Sequence, residues 1–72
     1  MLIRTIETFL RQNEMAATKF GRLAAHDPRF VLDLRLGREP REPTEQRIRG
    51  FIAGFEAARA IALAQEEVVH VG

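Results

Sequence analysis

Residues 17–37 read ATKFGRLAAHDPRFVLDLRLG, and this stretch decides the fold. Apolar residues recur at helical spacing on both sides of a break at His26-Asp27-Pro28. Before the break, Phe20, Leu23 and Ala24 make the apolar side of a short helix over 17–25, with Lys19 and Arg22 outward. Its N-cap position falls on Ala16, which has no side-chain acceptor for the free N–H groups. After the break, Asp27 is placed to cap a third helix, and Pro28 to take its first position, where a missing N–H costs nothing. That helix is expected over 28–36, closed by Gly37.

Outward from this core, residues 2–12 place Ile3, Ile6 and Leu10 on one helical line flanked by Leu2 and Phe9. Arg4, Glu7, Thr8 and Arg11 face the other way, so the first helix is amphipathic. Asn13 is the expected stop, and Met15 is expected to turn into the core. On the other side, residues 37–43 carry two prolines and read as a loop. A fourth helix is expected over 44–66, with Glu45 in its first turn and Ile48, Phe51, Ile52 and Phe55 at spacing i, i+3, i+4, i+7 as its core face. Beyond Phe55 the chain is rich in alanine, which favours a helix but fills little volume, so this part is expected to project. Residues 68–72 read as a frayed end or a short strand pairing across a dimer. The expected fold is an all-α, compact four-helix bundle with a helix-turn-helix, divided into a body over 1–56 and an extension over 57–72.

Composition agrees with one small domain: 72 residues, 46% hydrophobic and 29% charged, net charge +1. Cys 0 removes disulfides, cysteine zinc sites and thiol nucleophiles from consideration. No run approaches the roughly 18 apolar residues of a membrane span, and residues 1–15 lack a signal-peptide layout; a cytoplasmic protein is expected. The charge is unevenly placed. Residues 1–49 hold ten basic and seven acidic groups, and residues 50–72 hold one and three. All but one of the basic residues are Arg, a planar fork suited to bidentate contacts with phosphate and guanine. His26 and His70 stand far apart, in neither metal-ligand nor triad spacing, and no Gly-rich phosphate loop follows a strand. No enzyme, metal, cofactor or small-molecule ligand is expected.

Two short helices around a tight break, each flanked by a longer helix, form a helix-turn-helix layout. Over about residues 1–55 the chain resembles the lambda-repressor-like family of DNA-binding domains, which includes phage repressors and Cro proteins. Counted from Ala17, the family's apolar fourth, small fifth, and apolar fifteenth and eighteenth positions fall on Phe20, Gly21, Val31 and Leu34. The chain departs from the family pattern at Gly21, Ala25 and His26, where Ala, Gly and an apolar residue are usual, and the departure implies that His26 takes the left-handed turn conformation in place of Ala25.

The resemblance implies a bacterial or phage regulator, nucleoid-associated when bound, that inserts helix 28–36 into the major groove of double-stranded DNA. Base contacts would come from Pro28, Arg29, Leu32 and Asp33. Arg29 suits guanine O6 and N7, Asp33 suits cytosine N4 or an orienting contact to Arg29, and Leu32 suits a thymine methyl. Phosphate contacts, which set register and not sequence, would come from Ala17, Thr18, Lys19, Arg22, Arg35, Arg38 and Arg41. Ile61, Leu63, Val68, Val69 and Val71 have no obvious core to fill and are the expected homodimer contact. The alternative is a non-enzymatic protein-interaction module, an adaptor or antitoxin-like subunit, on the same bundle.

Overall fold

A computed structural model describes the backbone of residues 1–71 and the side chains of residues 1–64. The chain forms four helices: α1 (Leu2–Asn13), α2 (Ala17–Ala25), α3 (Phe30–Arg35) and α4 (Glu42–Val71). No strand occurs among the described residues. The helix-turn-helix is α2, the turn 26–29, and α3.

Burial follows the apolar periodicity. Leu2, Ile6, Phe9 and Leu10 from α1, Phe20 and Ala24 from α2, Phe30, Val31 and Leu34 from α3, and Ile48 and Ile52 from α4 make one core. Met15, Phe51 and Phe55 are half-buried against it. Phe9 is the hub. Its ring centroid lies 5.5 Å from that of Phe20 and 5.1 Å from that of Phe55, both edge-to-face, so one side chain ties α1 to α2 and α4. Burying such a ring contributes about 1.5–3 kcal/mol, with a further ~0.5–1.5 kcal/mol for each aromatic pair.

Leu23 corrects the expectation for α2. The buried arc runs through Phe20, Gly21 and Ala24, and Leu23 lies off it, 50% exposed. The helix ends also sharpen. α1 runs through Asn13, and the left-handed residue is Glu14 (φ 49°). The N–H groups of Glu14 and Met15 donate back to Arg11 O and Leu10 O. Asn13 serves the cap differently: its Nδ2 donates to Phe9 O at 2.9 Å, one turn back. His26 takes the left-handed turn conformation (φ 54°), as expected.

α3 is shorter than the expected 28–36. Asp27 Oδ1 accepts from the Arg29 N–H at 2.9 Å, and Asp27 O accepts from the Phe30 N–H at 3.1 Å. Asp27 therefore closes a tight turn over Pro28-Arg29, and regular helix begins at Phe30. At the far end Gly37 has φ 104°; its N–H donates to Leu34 O and that of Arg38 to Asp33 O, each at 3.0 Å. This paired capping pattern needs a left-handed residue, which glycine supplies without strain.

α4 begins at Glu42, two residues before the expected start, because Pro43 is tolerated in a first turn whose N–H groups have no helical partner. It continues to Val71, past the expected end at 66, so the tail adds helix instead of a strand. Every fully buried residue among the described ones lies at or before Ile52, and residues 57–64 are all exposed. A 30-residue helix is about 45 Å long. The molecule measures 50 × 22 × 20 Å, the elongation expected of a projecting α4.

Candidate nucleic-acid interface

The four positions that carry the resemblance are all buried: Phe20 and Gly21 on α2, Val31 and Leu34 on α3. Gly21 shows why its position admits only the smallest residue. A Cβ there would collide with Asp27 O and press on the Pro28 carbonyl carbon at 3.3 Å. The close approach is therefore to the backbone of the turn, and it lets the Asp27 N–H donate to Gly21 O at 3.0 Å. Ala, usual in the family, does not fit this turn.

With Phe30, Val31 and Leu34 turned inward, α3 exposes Leu32 and half-exposes Asp33, and the turn before it exposes Pro28 and Arg29. These are the four residues expected at bases, and they share one short segment. Arg29 forms no ion pair among the described residues. The expected i,i+4 contact between Arg29 and Asp33 is not formed; Asp33 instead faces Arg38.

Among the residues expected at phosphates, Thr18, Lys19 and Arg22 are exposed on α2, and Ala17 is half-exposed at its start. α2 has no side-chain cap, as expected from Ala16. Its first chain-internal bond runs from the Phe20 N–H to Ala16 O, so the N–H groups of residues 17–19 have no helical partner. Lys19, Arg22 and Arg41 carry no ion pair among the described residues.

Arg35 and Arg38 are differently placed. Arg35 is clamped to Glu7 of α1 by two bonds, Nε to Oε2 at 2.9 Å and Nη2 to Oε1 at 2.7 Å. The Arg35 hydrogen bond holds the Glu7 carboxyl below its ordinary value, and the same bond raises the Arg35 guanidinium. Arg35 thus ties α3 to α1 and is not among the unpaired cations. Arg38 lies between Asp33 and Asp27, with Nη1 3.3 Å from one carboxylate and 3.7 Å from the other.

Two contacts had no local signal in the sequence. Glu7 and Arg35 meet across 28 residues, and Arg59 Nη1 on α4 donates to Asn13 Oδ1 at 2.8 Å across 46. The pair of Asp33 and Arg38 was not foreseen either; it forms because a left-handed Gly37 turns the chain back on the helix end. Ile61 and Leu63 of the expected dimer contact are exposed, at 59% and 53%. The side chains of Val68, Val69 and Val71 lie outside the described residues.

Among the described residues, no group of three or more His, Cys, Asp or Glu side chains is placed to hold a metal ion. None of the described helices is long and apolar enough to cross a membrane. Set against known proteins, the chain matches no family model, no curated protein and no solved structure, so its function has to be argued from its own residues.

Proposed function

We propose that the protein is a small, non-enzymatic, sequence-specific DNA-binding regulator, acting as a cytoplasmic homodimer that presents Pro28–Leu36 to the major groove. One observation carries this reading: Phe20, Gly21, Val31 and Leu34 are buried together while Arg29 stays exposed and has no ion pair among the described residues. A segment packed by one face with its other face open suits a groove wide enough to admit a helix. Lys19, Arg22 and Arg41 suit the phosphates, and the bare start of α2 adds N–H donors. Arg29 is assigned to guanine, and Leu32 to a thymine methyl. The exposed Ile61 and Leu63 on the far part of α4 are assigned to the partner protomer.

The test is selection of bound fragments from the source genome, followed by titration of the recovered site. Arg29→Ala is expected to relax preference at one base pair and to cost about 1–3 kcal/mol on the preferred site. Lys19→Ala is expected to weaken binding to all sequences and to reduce the salt slope by about one. The interaction-module reading is favoured by one observation: Leu23 and Leu36, at 50% and 85% exposure, leave apolar surface on the α2–α3 unit. Failure to retard any fragment at low salt hands the assignment to that reading.

A further inference from the structure

Asp33 lies on the segment proposed to enter a groove lined by phosphates, and Asp27 directly precedes that segment. Two bare carboxylates there would oppose binding. Among the described residues, Arg38 is the one that meets both: its Nη1 lies 3.3 Å from Asp33 Oδ2 and 3.7 Å from Asp27 Oδ2. Its Cζ lies 5.7 Å from the ring centroid of Phe30, a side chain that is itself buried. The backbone sets this placement, because Gly37 turns the chain and the Arg38 N–H donates to Asp33 O at 3.0 Å. The three side chains keep 48%, 40% and 34% exposure, so the cluster is open to a ligand. Asp33 Oδ1 accepts no hydrogen bond among the described residues.

We infer that Arg38 is a positioning residue of the DNA-reading face: it offsets the charge of Asp27 and Asp33 and holds Asp33 oriented to accept from a base amino group. The N4 amino group of cytosine is the donor of matching chemistry. The inference rests on the DNA-binding reading above, and it replaces a direct phosphate contact by Arg38 with an action through the two carboxylates. In the same arrangement Arg38, and not Arg29, is the cation that pairs with Asp33.

A double-mutant cycle on the selected DNA site tests it, read by fluorescence anisotropy. Arg38→Ala is expected to weaken binding about tenfold in the wild-type background and by less than about twofold when Asp27→Asn and Asp33→Asn are present. Fragment selection with Arg38→Ala and with Asp33→Asn is expected to alter preference at the same base pair, which a merely structural role would not do. Arg38→Gln, which keeps an apolar stem over Phe30, takes the place of Arg38→Ala if the alanine variant loses its helical circular dichroism. Equal losses in both backgrounds, with the salt slope lowered by about one, make Arg38 a phosphate contact and overturn this inference alone. Wild-type protein that binds no fragment overturns the DNA-binding reading and this inference with it.

Discussion

Gly21 is the residue on which the turn depends. A helix interior disfavours glycine by about 1 kcal/mol relative to alanine, yet the turn backbone at Asp27 leaves no room for a Cβ. Gly21→Ala therefore gains helix propensity and loses the close approach, and the second effect is larger because the opposing atoms are backbone. A net destabilisation of about 1–3 kcal/mol is expected in urea titration. Unchanged stability would mean that the turn relaxes freely. The resemblance implied a small residue here, but the atom it must avoid is six residues away and became visible only in three dimensions. Glu14 and His26 sit in the left-handed region at a cost that glycine would avoid, and only His26 was legible beforehand.

At the scale of elements, α3 has only six residues, too few to persist alone in water. Its stability comes from three buried side chains, the Asp27 turn, the Gly37 cap and the Glu7–Arg35 clamp to α1. The clamp has a pH signature. Because the folded-state Glu7 carboxyl lies below its ordinary value, its contribution is fully present above the ordinary carboxylate range and is lost as pH falls through the depressed value. The pair is partly exposed, so its worth is at most about 1 kcal/mol. Urea midpoints of wild type and Glu7→Gln are expected to differ at pH 7 and to converge as pH falls below the ordinary carboxylate range; a constant difference would contradict the assignment. Helix existence and core faces were legible in the periodicity. The clamp was not, because two side chains 28 residues apart share no local pattern.

For the whole molecule, the body is closed by Phe55 and pinned to α4 once more by Arg59, which bonds Asn13 at the end of α1. Beyond that point α4 carries exposed Ile61 and Leu63 and has no neighbouring element to pack on among the described residues. Light scattering on the full chain and on residues 1–58 is expected to give a dimer and a monomer respectively. The truncated body should keep its helical circular dichroism, since all of its fully buried residues precede residue 53. Identical monomeric masses would remove the dimer from the proposed function. DNA affinity of the truncated body should then fall steeply, because two half-sites bound together exceed the affinity of one.

The sequence by itself determined four helices, the buried side of α1 and of the first half of α4, the break between α2 and α3, and the basic character of the first two-thirds of the chain. These follow from local periodicity and from residues with special backbone geometry, which act within a turn or two. The tertiary structure alone decided which cations are available. Arg35 is held by Glu7, Arg38 is shared by Asp27 and Asp33, and Arg29 is left without an ion pair among the described residues. The physical reason is that a charge is committed by whichever opposite charge the packing brings within about 4 Å, and packing joins residues that the chain keeps far apart.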